Sequence, residues 1–277
     1  MDQDAGKGED RLNTVLTVAG SDCSGGAGIQ ADLKTIGAFG LYGMSVITAI
    51  TVQNTMGVRR VEPVEPGLVA EQMQAVLEDI LPDAVKIGMV VSKENIHALV
   101  HIIKKYSEKG KTFPFIVLDP VLVSTSGRVL LEPEAETALK EELFPMADLI
   151  TPNLPEAEQL CGCPIEKNSV RERAAEELSG RYGCSVLIKG GHGSGADDLL
   201  FHAGTGAHSW YAGTRIENSN THGTGCTLSS AIACGMAQGK TLGEAVADAK
   251  VYITGAIGAG LDLGKGNGPL DHFYQRQ

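Results

Sequence analysis

Short apolar runs alternate along the chain with longer stretches whose apolar positions recur every three or four residues. The short runs fall at 14–19, 45–51, 84–88, 115–119, 148–151, 185–189 and 199–202. The helical stretches fall at 28–39, 66–80, 93–108, 133–144, 155–161, 168–182, 226–238 and 242–260. Strands that are apolar on both faces and separated by helices predict parallel βαβ units. Right-handed crossovers then predict a doubly wound α/β fold, a mostly parallel sheet with helices on both faces. Segments 37–64 and 203–219 are more β-rich and predict a small β edge flap. No linker-like composition and no repeat at the roughly 20–50-residue periods of solenoids interrupts the pattern. The expectation is one domain over 11–277, preceded by a disordered acidic N-terminus at 1–10.

In such sheets ligands bind beyond the carboxyl ends of the strands. The positions to inspect are therefore 20–28, 53–54, 88–89, 119–120, 151–156, 189–195 and 220–226. Several are polar or glycine-rich, as a small-molecule enzyme site requires.

Charge narrows the partners. Lys plus Arg is 23 against 34 for Asp plus Glu, a net charge of −11, which argues against nucleic acid or a membrane surface as partner. A phosphate ligand stays open, because it needs only local positive potential. The six cysteines include Cys161 and Cys163, with no second pair at zinc-ribbon spacing, so reduced thiols in a cytoplasmic protein are expected. No basic-then-apolar leader opens the chain and no apolar run reaches the roughly 18 residues of a membrane span.

The candidate motifs each carry two readings. Segment 220–226 (NTHGTGC) precedes a helix rich in Ala and Ser. Its glycines and the helix N-terminus suit a phosphate or oxyanion cradle. The alternative is a glycine turn into a buried helix, with Cys226 as a small core residue. Segment 19–28 (AGSDCSGGAG) resembles a phosphate loop, but no Walker sequence exists in the chain. Dinucleotide-type glycine spacing at 26–31 and at 191–196 is imperfect or leads into a strand. Lys189 closes an apolar run beside Gly190 and Gly191, which suits a phosphate group as well as a solvated lysine. Asp119, Asn153 and Glu156 follow strands, where carboxylates hold Mg²⁺ through water. Equally, Asp119 before Pro120 is a common turn, and Asn153 or Glu156 can cap a helix near 155. His97 and His101 lack the glutamate of a zinc protease and read as helix-face residues.

Together, segments 19–35, 53–55, 86–89, 118–121, 151–158, 189–192 and 220–230 resemble hydroxymethylpyrimidine/phosphomethylpyrimidine kinase of thiamine biosynthesis, within the ribokinase-like superfamily. The resemblance runs in order from about Asn13 to Phe273. It implies a ribokinase-like α/β/α fold, a homodimer, and an ATP- and Mg²⁺-dependent kinase. The substrate implied is 4-amino-5-hydroxymethyl-2-methylpyrimidine and then its monophosphate. Relatives act on pyridoxine, pyridoxal or pyridoxamine, which is the alternative; a non-catalytic ligand-binding homologue is a remote one. By the same resemblance Gln53 bonds the aminopyrimidine ring, and Gly20, Asp32, Met89 and Val121 line the substrate pocket. Lys189 lies near the ATP phosphates. Gly223, Thr224 and Gly225 form the anion hole, and Asp119, Asn153 and Glu156 the Mg²⁺ and water network. Cys226 faces the substrate hydroxymethyl group. A helix N-terminus lowers a thiol's pKa, so Cys226 is expected to be the general base.

Overall fold

The computed structural model describes residues 11–108, 110, 112–122, 131–191, 195–218 and 220–276. The disorder expected at 1–10, and His192 of the 189–192 motif, lie outside the described residues. The elements run β1 (Thr14–Asp22), α1 (Gly28–Ala38), β2 (Tyr42–Asn54), β3 (Gly57–Pro63), α2 (Pro66–Asp79), β4 (Ala84–Ile87) and α3 (Lys93–Ser107). There follow β5 (Phe115–Leu118), α4 (Pro133–Ala138), β6 (Leu149–Ile150), α5 (Leu154–Cys161) and α6 (Asn168–Tyr182). The chain continues through β7 (Ser185–Ile188), β8 (Asp198–His202), β9 (Ala207–Tyr211), α7 (Thr224–Ala237) and α8 (Leu242–Gly258).

Among the described residues the strands form one sheet in the order β3-β2-β1-β4-β5-β6-β7-β8-β9. Every pairing from β2 through β7 is parallel. The outer pairings β2–β3, β7–β8 and β8–β9 are antiparallel. The two β-rich segments thus supply the two edges of this sheet. The order reverses between β1 and β4, the switch point at which doubly wound sheets open a crevice.

Side-chain alternation along the strands builds two cores. Leu16, Val18, Val85, Ile87, Ile116, Leu118, Val186 and Ile188 join one buried cluster with residues of α2, α3, α5 and α6. Their neighbours Val15, Ala84, Val117 and Leu187 join a second with α1, α7 and α8. That period of two, apolar both ways, is why these short strands lack polar alternation. The helix expected over 133–144 is shorter. It ends in a π-turn at Leu139–Leu143 and a single 3-10 turn at Phe144–Met146, where Pro145 cannot continue the helical bonding.

Candidate active site

The floor of the crevice is polar where the strand pattern calls for an apolar residue. Thr17 of β1 and Lys86 of β4 are register partners and point to the α1/α7 side. Both meet Asp32 of α1: Thr17 Oγ1 donates to Oδ2 at 2.5 Å, and Lys86 Nζ lies 2.9 Å from the same oxygen. Ser230 of α7 donates to Oδ1 at 2.7 Å. The Lys86 and Asp32 side chains have no solvent exposure. Burial alone would lower the Lys86 pKa, but Asp32, Cys226 and Asp119 raise it, so the ammonium stays charged. Asp32, expected on the substrate pocket wall, has a carboxylate without solvent exposure that is taken by three partners.

The α7 start stands over this floor. Gly223 caps the helix at φ 85°, and a Cβ there would lie 1.9 Å from the Gly26 carbonyl oxygen. Only glycine holds that left-handed, touching position. No side chain caps α7, so its first turn presents backbone N–H groups and the positive end of the helix dipole. Gly225 packs on an ion pair: a Cβ there would come 3.0 Å from Asp119 Oδ2 and 3.3 Å from Lys189 Nζ. Lys189 Nζ donates to Asp119 Oδ1 at 2.7 Å, and both side chains are nearly buried. Burial pulls the Lys189 pKa down, yet Asp119 and Glu156 push it above its ordinary value. The solvated reading of Lys189 therefore fails.

Cys226 departs from expectation. Burial pushes its thiol pKa up, and Asp32 and Asp119 add to that. Lys86 and the Gly28 N–H only partly offset them. The helix N-terminus does not win, because the low-dielectric surroundings penalise the thiolate more. The resting group is the neutral thiol.

Asn153 and Glu156 form a capping box at α5. Asn153 Oδ1 accepts from Glu156 N at 2.9 Å, and Glu156 Oε2 accepts from Asn153 N at 2.9 Å. Glu156 Oε1 also accepts from Leu122 N at 3.2 Å. The capping reading is thus realised, and the metal reading is not thereby removed: burial and Asp119 push the Glu156 pKa up, against Lys189 and the two N–H donors. Val121, two residues after Asp119, adopts φ 43°, a strained conformation for a β-branched residue. Among the described residues no group of three or more metal-type side chains is gathered.

The loop after β1 is not a phosphate loop. Its amides are occupied by Asp22, whose carboxylate accepts from Ser24 N, Ser24 Oγ, Gly26 N and Ala27 N at 2.8–3.0 Å. Asp22 Oδ2 also lies 2.9 Å from His222 Nε2. Burial opposes ionisation, but His222 and Ser24 hold the Asp22 pKa well below the usual carboxylate range. His222 Nε2 in turn lies 3.0 Å from Gln53 Nε2. Gln53 is tied by its backbone to Cys23 Sγ, which donates to Gln53 O at 3.2 Å. Gly20 allows Met89 to approach, since a Cβ there would meet Met89 Cε at 2.3 Å. Gly20, Met89 and Val121 lie at or just beyond the carboxyl ends of β1, β4 and β5, Gln53 near that of β2, and Cys226 in the first turn of α7. The sequence pattern assigns no individual role to Lys86, Asp22 or His222. A lysine inside the apolar run 84–88 was the available signal for the first of them.

Comparisons with known proteins agree on one class. The family model for phosphomethylpyrimidine kinase matches residues 22–271. The thiamine biosynthesis bifunctional protein ThiED of Geobacter sulfurreducens is 48% identical over 94% of this chain. The chain spans about half, 52%, of that protein's length. A hydroxymethylpyrimidine/phosphomethylpyrimidine kinase of Rhizobium meliloti is 48% identical, covering 94% of this chain and 97% of its own. The crystal structure of phosphomethylpyrimidine kinase (thiD) from Clostridium difficile superposes with a TM-score of 0.77 at 48% identity, over 88% of this chain and 99% of that one. The ADP complex of Bacillus subtilis pyridoxal kinase gives a TM-score of 0.84 at 33% identity, over 96% and 99%.

Proposed function

The chain belongs to the phosphomethylpyrimidine kinase family, and from that premise we propose that it uses ATP to phosphorylate 4-amino-5-hydroxymethyl-2-methylpyrimidine and then the monophosphate product. The observation that carries this reading is Gly225 of the uncapped α7 start lying against the Lys189–Asp119 pair. A buried cation and a helix N-terminus aimed at one spot suit a phosphoryl group whose charge spreads in a loose transition state.

In this proposal Gly223, Thr224 and Gly225 receive the transferring phosphoryl group. Lys189 and Asn153 face the nucleotide phosphates. Gln53, Gly20, Met89 and Val121 hold the pyrimidine. Asp32 keeps Lys86 charged and fixed beneath Cys226. Asp119 and Glu156 would hold Mg²⁺, mainly through water. Their mutual crowding suits a dication, and Mg²⁺ binds through one or two carboxylates plus substrate phosphates rather than in a protein cage. When bound, Mg²⁺ supplies neutralising charge for the phosphates. In its thiolate form Cys226 takes the hydroxyl proton as the oxygen attacks the γ-phosphorus and ADP leaves. The second phosphorylation has an already ionised phosphate oxygen as nucleophile and needs no such base. One kinase domain over 11–277, a homodimer and a cytoplasmic setting belong to the same proposal.

A second reading, B6-vitamer kinase, is favoured by one observation: the pyridoxal kinase superposes over more of the chain than the thiD enzyme does. ADP release with Mg²⁺-ATP, measured against hydroxymethylpyrimidine, its monophosphate, pyridoxine and pyridoxal, separates the two. Turnover of both pyrimidines is expected; turnover of pyridoxine or pyridoxal alone would move the chain to vitamin B6 chemistry.

A further inference from the structure

Asp22 and Gln53 meet at one atom. His222 Nε2 lies 2.9 Å from Asp22 Oδ2 and 3.0 Å from Gln53 Nε2. A ring nitrogen carries at most one proton, so it cannot donate to Asp22 and accept from Gln53 at once. Asp22 settles the matter. Four donors already converge on its two oxygens from Ser24, Gly26 and Ala27. That environment selects the carboxylate, which only accepts. The proton at the contact therefore sits on His222 Nε2. An amide NH₂ set against that N–H would place donor against donor, whereas a carbonyl oxygen in the same place shares the proton. The two ends of an amide have nearly the same shape, so the proton count decides which end faces the ring.

Neither His222 nor Asp22 can yield. The imidazole covers Gly26, where a Cβ would sit 2.3 Å from Cδ2, and its backbone N–H donates to Gly268 O at 3.2 Å. Asp22 is locked by its own loop. Gln53 is the partner that turns.

We propose that His222 is a positioning residue for substrate recognition: its Nε2–H, shared by Asp22 and Gln53, holds the Gln53 carbonyl to the ring and directs the Gln53 NH₂ into the pocket. The pocket then selects a substrate that presents a hydrogen-bond acceptor there, such as a ring nitrogen. The selectivity rests on Gln53 facing the substrate, as in the function proposed above; the tautomer does not.

¹⁵N NMR of the histidine-labelled protein reads the tautomer without any substrate. A protonated His222 Nε2 is expected, and an unprotonated Nε2 would overturn the proposal. Gln53→Glu keeps an oxygen toward the ring and removes the donor toward the pocket. It is expected to raise the pyrimidine KM at least a hundredfold while changing the ATP KM little, and an unchanged pyrimidine KM would overturn the assignment. His222→Leu is expected to raise the pyrimidine KM about tenfold with kcat largely kept. His222→Gln, which restores a donor toward Asp22, recovers most of that loss; equal defects in both variants would show a merely structural role. If the wild-type protein phosphorylates no pyrimidine, the function falls while the NMR result still decides the tautomer.

Discussion

Lys86 and Asp32 hold each other at 2.9 Å with neither side chain reaching solvent, directly below Cys226. A buried pair of this kind contributes little net stability when intact, but losing one partner leaves an uncompensated charge. Lys86→Met is expected to destabilise the protein by about 3–5 kcal/mol in denaturant unfolding. The double variant Lys86→Met/Asp32→Leu recovers much of that loss. Additive losses would contradict the pairing.

Glu156 separates capping from catalysis. Gln serves a capping box as well as Glu does. The raised folded-state pKa of Glu156 means its ionised form costs stability as pH rises. Glu156→Gln removes that charge and keeps the contact to the Asn153 N–H, but it sets an NH₂ against the buried Leu122 N–H, so a net loss no larger than about 1–3 kcal/mol at pH 7 is expected, together with a cut in kcat and a weaker Mg²⁺ dependence. Full activity in Glu156→Gln would reduce the residue to a helix cap.

Asp22 has the opposite sign. Its carboxyl pKa is held down in the folded state, so its contribution is present above the ordinary carboxylate range and is lost as pH falls below it. Asp22→Ala strips the acceptor from the loop amides and from His222. A loss of about 2–4 kcal/mol at pH 7 is expected, shrinking in acid. A loss that does not vary with pH would contradict this.

Cys226 makes the first phosphorylation sensitive to alkali. Its thiol pKa is raised, and a general base works only when deprotonated. The first-step rate is expected to climb with pH beyond the ordinary thiol pKa of about 8.5. That limb should vanish in Cys226→Ser. A first-step rate that levels off below pH 8 would exclude the thiolate as base.

The parallel core was legible because strands such as 84–88 and 115–119 are apolar on both faces. Position 86 was not legible as a core residue. Its partner Asp32 lies 54 residues away in helix α1, and sequence alone does not bring that carboxylate to it. The 19–28 segment was misleading for a physical reason: a glycine-rich turn that cradles phosphate and one that cradles its own Asp22 share the same composition. His222 stands 169 residues from Gln53, so only the fold brings them together. The direction of the Cys226 thiol shift was not legible, because helix position is visible in sequence and burial is not.

In the proposed reaction one site performs two phosphorylations, and only the first needs a base. Rapid-quench single turnovers, run from hydroxymethylpyrimidine and separately from its monophosphate, test it most directly when wild type is compared with Cys226→Ala. A loss of roughly 10²–10⁴-fold in the first step and a small change in the second are expected. Equal losses in both steps would contradict it and make Cys226 a packing or phosphate-positioning residue.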